Sequence, residues 1–149
     1  MALNKSWISL ACIATGAALA ALVSYAILMH TLPTTTIHVA EARVVVEIAD
    51  TPAARERGLG GRDVLPAGRG MLFDMGSDAE WGFWMKDMRF AIDIVWLARD
   101  GTVVYIAANV APDTYPQVFA PPSPAYWVLE LPAGYMAASG VGIGERVVL

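Results

Sequence analysis

Apolar and polar positions divide the chain into an uncharged N-terminal stretch and a longer part made of short apolar runs. No side chain is charged from Trp7 to Met29, and about 20 apolar residues can cross the hydrocarbon core of a bilayer as a helix. The pattern therefore predicts a transmembrane or signal segment over residues 1–30. We expect a linker over residues 31–37 and a folded domain over residues 38–149.

Flanking charge predicts the orientation of this segment. Lys5 precedes the apolar stretch, and positive residues beside a membrane span tend to stay in the cytoplasm. We therefore expect a single-pass inner-membrane protein whose domain lies on the periplasmic side. Cleavage at the small-x-small motif Ala40-Glu41-Ala42 would instead release the domain into the periplasm. The stretch is longer than an ordinary signal core, so we favour the uncleaved anchor.

The rest of the chain is predicted to be a small, mainly β domain. Its apolar runs are short, and turn residues separate them at the spacing of a small barrel or sandwich. About seven strands are predicted, over residues 42–49, 70–73, 82–85, 90–97, 102–108, 126–131 and 145–149. Two short helices are also predicted, one starting at Thr51-Pro52 with threonine as N-cap and one within Ala133–Ser139.

Two connections stand out between the predicted strands. Asp100-Gly101 separates two apolar runs and is a strong hairpin signal. Ala111–Pro124 is a proline-rich loop, and long loops of this kind are often functional or disordered. We predict that it is a lid, a docking surface or a disordered connection.

Charge and composition exclude several classes of function. The whole chain has a net charge of −4, and the acidic and basic residues are interspersed. A nucleic-acid partner requires basic surface, which this pattern does not predict. Cys12, His30 and His38 are the only cysteine and histidines, so neither a zinc site nor a disulfide within the domain is expected. No cofactor is predicted.

Several motifs carry a resemblance to a known family. They are Arg57-Gly58-Leu59, Gly70-Met71-Leu72-Phe73, Phe83-Trp84-Met85-Lys86 and Val128-Leu129-Glu130-Leu131. In this order they resemble the domain of unknown function 192 family. The resemblance implies a compact, mainly β fold, often behind a signal or anchor, and no established reaction. The chain departs from the family at Asp87-Met88, where Asn-Thr is usual, and this changes the polar chemistry beside Lys86.

The stretch from Trp84 to Asp87 places a cation and an anion beside a large aromatic residue. Lys86 could bind an anion or, if desolvated, act as a nucleophile or base. The structural alternative is that its stem packs on Trp84 while its ammonium group reaches water or a carboxylate. We predict Trp84, Lys86 and Asp87 as candidate ligand-binding residues and give the structural alternative the larger weight.

Two carboxylates occur inside apolar strands. Asp93 lies between two isoleucines and Glu130 lies in the run Val128–Leu131, and burial of an unpaired carboxylate costs several kcal/mol, about 2–7 even for a neutral polar group. Lys86, Arg89 or backbone amides could pair with Asp93, and Arg57 or Arg62 with Glu130. We favour structural ion pairs, and we include Asp93, Glu130, Arg57 and Arg62 among the candidate ligand-binding residues.

Three functions remain open. The first is an anchored domain that binds a small ligand or an envelope protein. The second is an envelope hydrolase or lyase in which Lys86, Asp93 and Glu130 converge as acid–base groups. The third is Cu(I) handling by thioethers, for which the candidate residues are Met71, Met75, Met85 and Met88, although methionine is more often a core residue.

Overall fold

The computed structural model describes residues 31–149, and the predicted span Trp7–Met29 lies outside them. Residues Leu32–Leu149 form one compact unit. Within residues 31–149, none of the helices is both long and apolar enough to cross a bilayer.

A single seven-stranded sheet forms the body of this unit. Its strands are β1 (Thr34–Val39), β2 (Ala42–Ala49), β3 (Arg69–Ala79), β4 (Ile92–Leu97), β5 (Val103–Val110), β6 (Ala125–Pro132) and β7 (Val147–Val148). They lie in the order β5-β4-β6-β3-β2-β1-β7. Two short helices, α1 (Pro52–Arg57) and α2 (Tyr135–Ser139), and a single 3-10 turn at Pro112–Thr114 complete the secondary structure of the described residues. The prediction of a mainly β domain with two short helices is confirmed.

The two ends of the sheet meet, which makes the fold barrel-like. β7 pairs with β1 on one side. On the other side Val147 N–H donates to the Gly101 carbonyl at 2.9 Å, and Val103 N–H donates to the Glu145 carbonyl at 2.8 Å. A Cβ at Gly101 would lie 2.1 Å from the Val147 carbonyl oxygen, so the close approach of the two chain segments requires glycine there. The predicted Asp100-Gly101 hairpin therefore also closes the sheet.

Two segments differ from the prediction. The linker expected over residues 31–37 overlaps β1, which pairs antiparallel with β2 through contacts such as Ile37 with Val44. Its threonines favour extended backbone, and an extended segment next to a sheet edge completes the ladder. Conversely, residues 82–85 form only an isolated bridge from Phe83 to Phe119. The strand predicted there does not form, because only Phe83 pairs with a neighbouring segment.

The sheet has apolar side chains on both faces. One face lines the barrel interior, where Ile37, Val46, Val95 and Leu129 are fully buried. The outer face of the central strands is covered by chain outside the sheet and holds the following buried residues: Met71, Phe73, Ile94, Trp96 and Val128, packed with Leu59 and Met85. The domain therefore has two core clusters, with β3, β4 and β6 between them.

The crossover from β2 to β3 supplies part of this outer cover. The two strands are parallel, so the chain must return across the sheet, and α1 lies in this return. Thr51 Oγ1 accepts a hydrogen bond from Ala54 N–H at 3.2 Å, and Gly58 with φ +50° ends the helix. The predicted N-cap Thr51 thus fixes where α1 starts, and Gly58 fixes where it stops.

Candidate functional site

Glu130 is a buried carboxyl group on the outer face of the central strands. It lies in β6 opposite Met71 of β3 and Ile94 of β4, and only 5% of the residue is exposed. Its Oε2 has no hydrogen-bond partner among residues 31–149. Burial raises the pKa of Glu130 to about 8, although the nearby positive charge of Arg62 opposes the shift. The carboxyl group is therefore predominantly neutral at pH 7 and can donate a hydrogen bond.

A cavity of about 220 Å³ lies over this carboxyl group. The chain following α1 forms one wall: a Cβ built on Gly58 would be 3.9 Å from Glu130 Oε2 and 3.4 Å from the Phe73 ring. Phe83 meets Phe73 edge to face with 4.9 Å between ring centroids. The cavity thus has aromatic walls and a single carboxyl group among its deeply buried lining residues. Apolar walls with a few polar groups are typical of small-molecule sites.

Cations surround the outer part of this cavity. Arg57, Lys86 and Glu56 are exposed residues in its lining, and Arg55 is a half-buried one. The Arg55 guanidinium group donates to two backbone carbonyls, those of Asp50 and Asp74, at 2.8 and 2.7 Å, and these neutral acceptors leave its charge in place. Positive charge therefore predominates in the lining.

Trp84 connects the cavity to the proline-rich loop. This half-exposed residue lines the cavity, and the Lys86 ammonium group lies 6.0 Å from its ring centroid. Tyr115 of the loop contacts the Trp84 ring at 5.9 Å. Phe119 and Phe83 also exchange backbone hydrogen bonds of 2.8 Å. The Ala111–Pro124 loop is thus packed beside the site instead of extending into solvent.

Asp87 follows Lys86 in the chain but belongs to the lining of a different cavity. It has φ +59° and lines a second, more open cavity of about 820 Å³, which shares Arg57 and Lys86 with the first. The two exposed cations therefore line both cavities. Trp84, Lys86, Arg57 and Glu130 share the first cavity, whereas Asp87 does not line it.

Asp93 lies on the opposite face of the sheet. It pairs across the strands with Leu131, whereas Glu130 pairs with Ile94, and consecutive residues of a strand point to opposite faces. The Asp93 carboxylate accepts hydrogen bonds from the backbone N–H groups of Asn109, Gly134 and Met136 at 2.8, 3.0 and 2.9 Å. These bonds fix the start of α2 and the end of β5, which is a structural role.

Arg62 has a partner other than Glu130. It forms a two-bond salt bridge with Glu47 of β2 at 2.5 and 2.8 Å. This pairing lowers the pKa of Glu47 and raises that of Arg62. Arg62 therefore acts on Glu130 only through a Coulombic interaction, without a hydrogen bond to Oε2.

The four candidate copper ligands belong to the outer core cluster. Met71 and Met85 are fully buried there, and Met75 and Met88 pack against it. Among the residues that the structure describes, no three His, Cys, Asp or Glu side chains are grouped so that they could hold a metal ion.

Comparison with known proteins identifies the family. The model of DUF192, described as an uncharacterized ACR, matches residues 34–149. The chain belongs to the DUF192 family. No curated protein matches it.

Two solved structures show the same fold. One is a protein of Sinorhizobium meliloti 1021 described as a "putative transcription regulator", with 30% identity and a TM-score of 0.73 over 78% of this chain and 94% of that one. The other is a protein of unknown function from Novosphingobium aromaticivorans DSM 12444, with 28% identity and a TM-score of 0.72 over 79% and 86%.

Some lining residues of this DUF192 domain were not predicted as site residues. Gly58, Phe73 and Phe83 form the walls over Glu130, yet each resembles an ordinary turn or core residue in the sequence. Their motifs, Arg57-Gly58-Leu59, Gly70–Phe73 and Phe83-Trp84-Met85-Lys86, carry the family resemblance. The occurrence of these motifs in the family indicates that the residues matter, but it does not distinguish the wall of a cavity from a packed core.

Proposed function

We propose that this DUF192 domain is anchored to the inner membrane and binds a small ligand in the cavity over Glu130, which we call the Glu130 cavity. The buried and unpaired Oε2 of Glu130 carries the proposal. A buried polar group without a partner costs about 1–3 kcal/mol. A ligand that hydrogen-bonds to this oxygen removes that cost, and the free energy recovered contributes to the affinity of the domain for the ligand.

The uncharged stretch Trp7–Met29 and the preceding Lys5 support anchoring with the domain on the periplasmic side. In that location the ligand would be a small molecule of the cell envelope. The net negative charge of the chain does not favour a direct nucleic-acid role like that suggested by the description of the Sinorhizobium relative.

Acid catalysis is the second candidate function, and the raised pKa of Glu130 is the observation that favours it. A carboxyl group that holds its proton near pH 7 inside a cleft can act as a general acid. Lys86 lines the same cavity, so an envelope hydrolase or lyase would use these two groups. Asp93 would not take part, because it lies on the other face of the sheet. Turnover that disappears in Glu130→Gln with folding retained would support this alternative.

A small-molecule panel tests ligand binding directly. Full-length protein, solubilised as its N-terminal segment requires, is screened for compounds that raise its unfolding temperature. Hits are then repeated with Glu130→Gln and Lys86→Met, and with Arg43→Met as a control for loss of an exposed cation outside the cavity. We expect hits whose effect weakens in the first two variants and persists in the control. Hits that respond equally in all variants, or no hits, would contradict the proposal.

A further inference from the structure

The charge and geometry of the Glu130 cavity also indicate what class of ligand it takes, an inference that rests on the proposed function. We propose that the cavity binds a small organic anion with an apolar body, one oxygen of which accepts a hydrogen bond from Glu130 while Arg57 and Lys86 neutralise its charge.

The floor of the cavity favours an acceptor. Glu130 Oε2 is buried, and no cation among the described residues lies within hydrogen-bonding distance of it. Ionisation of Glu130 would therefore leave a bare anion against Phe73 and Met71. The positive charge that acts on it is that of Arg62, which is already paired to Glu47. A neutral carboxyl group in an apolar site is a hydrogen-bond donor, and it can stabilise an oxyanion.

The outer lining favours a negative ligand for an independent reason. Arg55, Arg57 and Lys86 bring three positive charges to the cavity, and Glu56 is the only carboxylate in the lining besides Glu130. An ammonium ligand would meet three like charges on its way to Glu130. An anion would be attracted by the same groups, and a local excess of one sign raises the concentration of the opposite ion.

The size and walls of the cavity restrict the rest of the ligand. About 220 Å³ is below the range of about 300–1,000 Å³ that drug-sized ligands occupy. Phe73 and Phe83 form an edge-to-face pair in the wall, and an apolar or aromatic body would replace water against them. A monocarboxylate with one ring or a short alkyl chain has the matching chemistry.

Three probes with one skeleton separate the ligand classes: 3-phenylpropanoate, 3-phenylpropanamide and 3-phenylpropylamine. Binding to full-length protein is measured by calorimetry from pH 6 to 9, and a titration into protein-free detergent is subtracted. Simple carboxylates and amines keep their charge over this interval. The charged groups that face the site are Arg55, Glu56, Arg57, Lys86 and Glu130, with Arg62 acting through its field. The pKa of Glu130, about 8, lies inside the measured interval.

We expect 3-phenylpropanoate to bind tightest. Because it needs the protonated carboxyl group, its affinity should fall by about tenfold per pH unit above pH 8. Glu130→Gln keeps an N–H donor and should bind with no pH dependence, whereas Glu130→Leu removes the donor and should weaken binding by about 10- to 100-fold. Lys86→Met should weaken binding in a salt-dependent way, and Arg43→Met should not.

The outcomes distinguish this inference from the function on which it rests. Tighter binding of the amine, with affinity that rises with pH and depends on Glu130, would overturn the anion assignment and leave ligand binding in the cavity intact. Tighter binding of the amide, or anion binding that is unchanged in Glu130→Leu, would also overturn it. If none of the probes binds and the wider panel gives no hit that depends on Glu130, both proposals fail.

Discussion

Glu130 should make the stability of the domain fall as the pH rises, opposite to the effect of a salt-bridged carboxylate. Burial raises its pKa from 4.5 to about 8. Below pH 4.5 the carboxyl group is protonated in both the folded and unfolded chain, and its favourable contribution is complete. Between pH 4.5 and 8 only the unfolded chain releases the proton, so the free energy of unfolding decreases. The full loss is about 5 kcal/mol, at 1.36 kcal/mol per pH unit.

Glu130→Gln removes this dependence because the amide has nearly the same shape and cannot ionise. Denaturant unfolding of full-length protein, followed by tryptophan fluorescence from pH 4 to 9, gives the stability of wild type relative to the variant. We expect this difference to fall by about 1.4 kcal/mol per pH unit between pH 4.5 and 8 and to be constant above that. The lowered pKa of Glu47 acts below pH 4.5 and is common to both proteins.

Glu41→Gln is the matched control, since Glu41 is exposed in the turn between β1 and β2. Its stability difference from wild type should change by less than about 0.5 kcal/mol over the same interval. The account of Glu130 as a buried, unpaired and neutral acid would be refuted if the stability of wild type relative to Glu130→Gln stayed constant from pH 4.5 to 8. An increase of this difference with pH would refute it as well.

Three further predictions test the framework around the cavity. Asp93→Asn should destabilise the domain by about 2–4 kcal/mol in denaturant unfolding, because it weakens charge-assisted bonds to three backbone N–H groups, and a loss below about 1 kcal/mol would contradict this role. Gly101→Ala should cost more than about 2 kcal/mol in the same measurement, because its Cβ would overlap the Val147 carbonyl where the sheet closes. A double-mutant cycle of Arg62→Met and Glu47→Gln should give a coupling of about 1 kcal/mol or less, since both side chains are about one-third exposed, and a coupling above 3 kcal/mol would show that the pair matters more than its exposure implies.

Local sequence signals predicted most of the β framework. Alternation placed β2 at its observed bounds, Ala42–Ala49, and Asp100-Gly101 marked the β4–β5 hairpin. Both signals act within a few residues, so they do not depend on distant parts of the chain. The predictions of a strand over residues 82–85 and of a linker over residues 31–37 were wrong because local signals do not decide these two segments. Whether an extended segment becomes a strand is decided by a neighbouring edge, and β2 offers one to Thr34–Val39 but not to Gly82–Met85.

The candidate site was predicted only in part, for a similar reason. Trp84, Lys86, Arg57 and Glu130 do line one cavity, but no pattern in the chain indicated that α1 and β6 would line a common cavity. Cavities result from imperfect packing between elements that are distant in sequence, and the same aromatic residues would serve equally in a filled core. The anchoring segment Trp7–Met29 remains a prediction from composition, outside the described residues.

Asp93 and Glu130 show where the sequence stops being informative. The chain by itself determined that each is a single carboxyl group inside an apolar strand and must either find partners or give up its charge. Only the tertiary structure decided which happens. On the inner face three backbone N–H groups converge on Asp93, while on the outer face Glu130 meets aromatic rings and a cavity. Strand periodicity specifies that successive residues face opposite ways, but the donors on each side come from remote segments that folding brings together.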